Sequence, residues 1–293
     1  MKESLLNSVD SLHIETPLLE SRQLSVLAGK NVWLKMDAMQ PTGSFKIRGI
    51  GLACQEKARS GAQRFISSSG GNAGIAVAFA GRKLGVPVTV IVPETTSERA
   101  KNLIRQENAD LIVHGASFYE ANIFAQSMLS DNHAFIHPFD DPILWRGHAS
   151  MIDEVALSGL KPDVVVLSMG GGGLYSGVVE GLERNQMADV PVVVAETFGA
   201  DSFSQSTKAG HRVELPSITS IATSLGARII CEQAMNLSLK HPTESAVVTD
   251  KSAVSACERF LDDHRVLVEP ACGAALALVY ERVPVLESFN TIL

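Results

Sequence analysis

Seven short runs of apolar and β-branched residues recur along the chain: NVWLKM, RFISSS, PVTVIVP, DLIVHG, AFIHP, DVVVLSM and VPVVVAE. Stretches with apolar residues at helical spacing lie between them. GIAVAFAGRKLGV, residues 74 to 86, predicts a helix that stops at Gly85 before the strand PVTVIVP, and ERAKNLIRQE predicts another over about 97 to 108. Strand and helix in alternation predict an α/β fold with parallel sheets and helices on both faces. No repeat, low-complexity tract or Pro/Ser linker interrupts the pattern, so any division into domains has to come from topology.

Length and charge narrow the function classes. The 293 residues leave room for two domains, at roughly 100–200 residues each. With 25 Lys and Arg against 32 Asp and Glu, the net charge is -7, and there is no basic run to attract nucleic acid or an anionic membrane. The N-terminal MKESLLNSVDSLHIE lacks the apolar core of a signal peptide. No apolar run reaches the roughly 18 residues of a membrane span. Cys54, Cys231, Cys257 and Cys272 are scattered without a CxxC pair, which reads as four reduced thiols. A soluble cytoplasmic protein is expected.

Three segments could carry chemistry. In PTGSFKIRGI, residues 41 to 50, Lys46 sits among Phe45, Ile47 and glycines rather than among charges. Burial or a neighbouring cation such as Arg48 would depress its pKa and make it a nucleophile or Schiff-base anchor. The alternative is a plain lysine in a loop entering a helix. SMGGGGLYSG, residues 168 to 177, follows an apolar strand and suits a phosphate held by backbone N–H groups at a helix start. Two other readings stand beside it: a loose dinucleotide fingerprint with Glu196 as ribose ligand, and a turn that merely permits close packing. SSSGGNAG, residues 67 to 74, could receive a carboxylate at another helix start, or could be an ordinary N-cap and turn.

Two further features read as structural. His133 and His137 form an HxxxH, but AFIHP is a predicted strand, where four residues span about 13 Å and cannot share one metal ion. Asp140 and Asp141 before Pro142 read as a turn and helix cap, with Trp145 as packing.

A reactive lysine, a phosphate cradle and a carboxylate loop are what an enzyme needs to hold pyridoxal phosphate and an amino acid. SFKIRG, SSSGGNAG and GGGGL, with PFDDP, AETFGADSF and EPACGAALA, resemble the motifs of the fold type II pyridoxal phosphate enzymes, in particular the serine/threonine dehydratases. The resemblance runs from about residue 16 to about residue 280. It implies a fold like the tryptophan synthase β chain, with two open twisted parallel-sheet domains. The smaller would span residues 41–141 and the larger would be built from 1–40 and 142–293, with the cofactor in the cleft. It also implies L-serine or L-threonine as substrate, lost by β-elimination to pyruvate or 2-oxobutanoate and ammonia, in a homodimer.

The same resemblance assigns roles. Lys46 would hold the cofactor and then remove the α-proton; Phe45 and Ser224 would lie against its two faces; Asn72 would bond the ring oxygen. Gly170, Gly171, Gly172, Gly173 and Leu174 would hold the phosphate, and Ser69, Asn72 and Ala73 the substrate carboxylate. A monovalent cation, potassium, would be bound by Gly170, Glu196, Ala200, Ser202, Leu225 and Ala227, which recasts Glu196 as a cation ligand.

Two departures matter. The related racemases carry a serine where this chain has Gly70, so elimination is expected over racemisation. The family continues past the EPACGAA helix into a further strand and a Cys/Ser-Gly-Gly turn that bonds the pyridine nitrogen, whereas this sequence ends at ESFNTIL. No residue here fills that role; Cys272 reads as a small buried cysteine, and loss of the strand would leave an unpaired sheet edge. Another type II β-eliminase or β-replacement enzyme, or a catalytically impaired binding protein, are therefore the alternatives.

Overall fold

The computed structural model describes residues 11–293. The first ten residues, and with them most of the segment read as lacking a signal peptide, lie outside the described residues. The chain forms two compact units, one of residues 11–15 with Met39–Pro138 and one of Thr16–Ala38 with Phe139–Leu293.

In chain order, the larger unit begins with β1 (Leu18–Glu20), α1 (Arg22–Ala28) and β2 (Asn31–Lys35). The smaller follows with α2 (Lys46–Arg59), β3 (Arg64–Ser67), α3 (Asn72–Leu84), β4 (Val88–Val92), α4 (Glu98–Gln106), β5 (Asp110–Val113), α5 (Phe118–Ser127) and β6 (His133–Phe135). The chain returns to the larger unit with α6 (Pro142–His148), α7 (Ser150–Leu157), β7 (Val165–Ser168), α8 (Gly173–Arg184), β8 (Val192–Thr197) and α9 (Ser202–Ala209). α10 (Glu232–Ser238), β9 (Thr243–Val248), α11 (Asp250–His264), α12 (Pro270–Tyr280) and β10 (Thr291–Ile292) complete it. All seven predicted runs contain a strand.

The smaller unit is a parallel four-stranded sheet in the order β5-β4-β3-β6. Every residue of β4 is buried, as a central strand covered on both faces requires. α3 approaches that strand closely because Gly81 has no side chain, and a Cβ there would stand 2.1 Å from Val88 Cγ2. The helix ends where the sequence predicts, with Gly85 left-handed at φ 69°. Ser97 caps α4 by accepting from the Ala100 N–H.

In the larger unit β7, β8 and β9 run parallel, and β8 is buried throughout. β1 pairs antiparallel with β2, and β2 pairs parallel with β10. A parallel bridge between Val164 and Ile292, with Val166 N–H donating to Leu293 O at 2.7 Å, joins the two groups of strands. The strand position expected to be lost is thus occupied by residues 291–293, whose β-branched Thr291 and Ile292 suit a buried strand. α11 and α12 pack so closely on each other that a Cβ on Gly273 would lie 2.1 Å from the Ala253 carbonyl. Leu24, Val193, Phe260 and Leu278 are buried in the core beneath, each contributing about 1.5–3 kcal/mol.

Residues 11–15 group with the smaller unit, where the sequence reading had put them with the larger. The Gln40 side chain explains it, accepting from the Ile14 N–H at 3.0 Å and donating to the Ile14 carbonyl at 2.8 Å.

Candidate active site

Lys46 opens α2, behind a tight turn in which Gly43 adopts φ 74° and its N–H returns to the Gln40 carbonyl. Its side chain is half-buried, and the amine donates to the Pro138 carbonyl at 2.6 Å and lies 5.2 Å from the Phe45 ring centroid. Burial lowers the pKa of the amine to about 8. About a quarter of the chains then carry a neutral amine at pH 7.5, against about one in a thousand for an ordinary lysine. Desolvation is the cause. Arg48 is fully buried two positions further along the helix, a spacing that does not face Lys46.

The segment after β3 folds back over the start of α3. Ser68 donates from its buried hydroxyl to Asn122 Oδ1 at 2.8 Å, and Ser69 Oγ accepts from the Gly71 N–H. Gly71 is the N-cap, so no side chain caps the helix, and the plain N-cap reading is not what forms. Gly74 is obligatory, because a Cβ there would lie 1.8 Å from the Ser69 carbonyl. Asn72 and Ala73 therefore open an uncapped first turn, with Ser69 two residues ahead of its N-cap, where backbone donors and the helix dipole favour a carboxylate. A Cβ on Gly70 would instead meet Thr96, whose Cγ2 and Oγ1 would be 2.7 and 2.8 Å away.

In the larger unit the four glycines between β7 and α8 are hemmed in from different sides. A Cβ on Gly171 would overlap the Phe139 ring, one on Gly172 the Ala234 side chain, and one on Gly173 the Phe139 carbonyl. Gly172 is also left-handed at φ 99°. Cys231 N–H holds the Gly171 carbonyl at 2.9 Å. Among the described residues, no acceptor takes the N–H groups of Gly170 through Leu174. Orphaned donors on a glycine loop at a helix start fit a phosphate.

Glu196 ends β8 completely buried, its two oxygens accepting from the N–H groups of Phe203 and Ser204 at 2.8 Å. Burial pushes its carboxyl up to about 8 against the pull of those bonds. A carboxyl so enclosed is no ribose ligand; it holds its proton up to about pH 8, and a cation beside it would favour the ionised form. Ser202 Oγ donates to the Ala227 carbonyl at 3.1 Å, and the Leu225 carbonyl accepts from Ala227 N–H. A Cβ on Gly170 would lie 3.3 Å from Leu225 Cα, and Ala200 is buried where its N–H meets the Thr197 carbonyl. One carboxylate with a hydroxyl and carbonyls is a hard oxygen set suited to a weakly charged ion.

Ser224 lies exposed beside the same loop, donating to Glu269 Oε2 at 2.5 Å. Cys272, expected to be buried, is exposed in the first turn of α12. Asp141 caps α6 as predicted, accepting from the Ile143 N–H at 2.8 Å. His133 opens β6, and the strand ends at Phe135, two residues short of His137, so the strand read over AFIHP forms only in its first part. Sequence reasoning gave no role to Pro138, Phe139, Thr96 or Glu269: Pro138 and Phe139 open the quoted motif PFDDP, but one acts through its carbonyl and the other through ring packing, which composition does not signal. Glu269 stood in a quoted motif without a role.

The chain matches the profile of a family described as pyridoxal-phosphate dependent enzyme over residues 9–288. It is 49% identical over 277 residues to the L-serine dehydratase/L-threonine deaminase of Mus musculus, covering 94% of this chain and 85% of the relative. It is 43% identical to the L-serine dehydratase of Dictyostelium discoideum, with 96% and 86% covered. Among solved structures it is similar to a fungal L-serine ammonia-lyase from Rhizomucor miehei, with a TM-score of 0.92, 34% identity and 97% and 94% of the two chains covered. A lysine with an eased pKa and an unpaired glycine loop are what such a family needs of its members, and this chain belongs to the pyridoxal-phosphate dependent enzymes.

Proposed function

We propose that this chain is an L-serine/L-threonine dehydratase, an ammonia-lyase that eliminates water and ammonia to leave pyruvate or 2-oxobutanoate. Lys46 carries the reading: a half-buried amine, eased toward neutrality, inside a motif shared with that family. The names of the relatives support the substrate class.

Pyridoxal phosphate, when bound, supplies the electron sink that lets the α-proton of an amino acid leave. The chain's own residues do the rest. Gly170 to Gly173 and Leu174 hold the phosphate by N–H groups, Lys46 anchors the cofactor, and Phe45, Asn72 and Ser224 orient it. Ser69, Asn72 and Ala73 bind the substrate carboxylate, which fixes the α-proton toward the Lys46 amine. That amine, when free, would take the proton as general base. The hydroxyl would leave the β-carbon as water on taking up one proton, the one the amine had removed, and a second water would hydrolyse the product enamine to the keto acid and ammonia.

Gly70 supports elimination over racemisation, because it has no hydroxyl and Thr96 fills the space beside it. The buried Glu196 with Gly170, Ala200, Ser202, Leu225 and Ala227 supports a potassium site. Homodimerisation is proposed from the family. No helix among the described residues is long and apolar enough to cross a membrane, and a cytoplasmic location is proposed with it.

The test is keto acid formation from L-serine and L-threonine by protein supplied with pyridoxal phosphate, with Lys46→Ala beside it. Keto acid that depends on Lys46 is the expected result. A cofactor band without turnover on either amino acid would contradict the substrate assignment and favour another type II eliminase or β-replacement enzyme.

A further inference from the structure

Pro138 and Phe139 are consecutive residues, and each holds a different functional group. Pro138, the last residue of the smaller unit, accepts the Lys46 amine on its carbonyl at 2.6 Å. Phe139, the first residue of the returning larger unit, packs on the glycine loop: a Cβ on Gly171 would lie 2.5 to 2.6 Å from three atoms of its ring. Its carbonyl stands where a Cβ on Gly173 would come within 2.8 Å, and that carbonyl also accepts from Trp145 Nε1 at 2.9 Å. Trp145 is carried by α6, whose start is fixed by the Asp141 cap and by Pro142. The dipeptide is thus pinned from behind.

We propose that Phe139 is the positioning residue of the phosphate loop, and that its peptide link to Pro138 couples the order of that loop to the resting place of the Lys46 amine. The proposal rests on the cofactor roles given above to Lys46 and the loop. Four consecutive glycines have more backbone freedom to lose than any other residues, and five N–H groups must converge for an anion to be bound. With the Phe139 ring pressed on Gly171 and its carbonyl and Cβ against Gly173, that freedom is removed before the ligand arrives, so less affinity is lost to ordering. Phe139 is neither charged nor nucleophilic, which is why a search for reactive side chains passes over it.

Pyridoxal phosphate and pyridoxal, which has the same aldehyde and no phosphate, separate this role from general packing. Their dissociation constants are measured for the wild type, for Phe139→Leu, which keeps apolar volume without the flat ring, and for Trp145→Phe, which keeps an aromatic ring and loses the indole donor. Both variants should bind pyridoxal phosphate about tenfold more weakly and pyridoxal within about twofold of the wild type. The pH midpoint at which Lys46 reacts with pyridoxal should also move in both. Should Phe139→Leu fail to fold, Trp145→Phe decides. Folded variants in which the two ligands weaken equally, or neither weakens, would overturn the proposal. A wild type with no preference for the phosphorylated ligand would overturn the cofactor reading itself, and this proposal with it.

Discussion

Thr96 stands where a side chain on Gly70 would have to go, with its Cγ2 and Oγ1 2.7 and 2.8 Å from the place of that Cβ. Val92 closes the same space, with its Cγ1 at 3.2 Å. A serine cannot simply be placed at position 70 to supply a second acid. Gly70→Ser alone should destabilise the protein by about 1–3 kcal/mol, the usual cost of overpacking, and lower kcat/KM for serine. Thr96→Ala in the same chain should recover most of the stability. Thermal melts and α-proton exchange in deuterated water measure both effects; an unaffected Gly70→Ser would mean that Thr96 swings away at no cost.

Two glycines three positions apart in the carboxylate loop should behave oppositely. A Cβ on Gly71 meets nothing within 4 Å and its φ is -105°, whereas one on Gly74 lies 1.8 Å from the Ser69 carbonyl. Gly71→Ala should keep near-normal stability. Gly74→Ala should cost about 3 kcal/mol or more, since backbone must move, and should raise the KM for serine in whatever fraction remains folded.

Glu196 predicts how salt and pH act together. Its carboxyl is raised to about 8, so between the unfolded value of 4.5 and about 8 the folded state holds a proton that the unfolded state has lost. Stability without a cation therefore falls as pH rises through that window. Potassium, by pairing with the ionised form, should stabilise more at pH 8 than at pH 6, and Glu196→Gln should remove both the slope and the response. Melting temperatures in potassium and in a large organic cation at the two pH values are the measurement.

Lys46 should carry a stability cost in the cofactor-free protein. Its pKa is lowered from 10.5 to about 8, so between these values the unfolded chain binds the extra proton, and stability rises with pH. Below about pH 8 the folded state keeps a half-buried charge. After allowing for partial exposure and for the lost bond to Pro138, Lys46→Met should stabilise the cofactor-free protein by about 1 kcal/mol at pH 7, with the advantage fading toward pH 10. Denaturant melts at several pH values decide it, and a less stable Lys46→Met at pH 7 would show that the charge is not strained.

Much of this was legible in the residues. β4 and β8 are buried on both faces, and such strands announce themselves as unbroken β-branched runs; Gly85 and Ser97 end and start helices by rules that act within a few residues. β9 was not legible, because TESAVV is half polar and only Val248 in it is buried. β10 is only two residues long and takes its place from neighbours far away in sequence. At the site, Lys46 and the glycine loop are recognisable by composition. Pro138 is not, because it contributes a carbonyl that every residue has, and only the fold brings it to the amine. Phe139 and Thr96 matter through where they stand against glycines, which no local pattern records.

The central claim is that Lys46 is the cofactor's anchor, and the most direct test is chemical trapping. Protein incubated with pyridoxal phosphate is reduced with borohydride, digested and mapped by mass spectrometry. The account predicts one phosphopyridoxyl adduct, on Lys46 in the segment 41–50, lost in Lys46→Ala. An adduct on another lysine, or one that survives Lys46→Ala at equal yield, would contradict it.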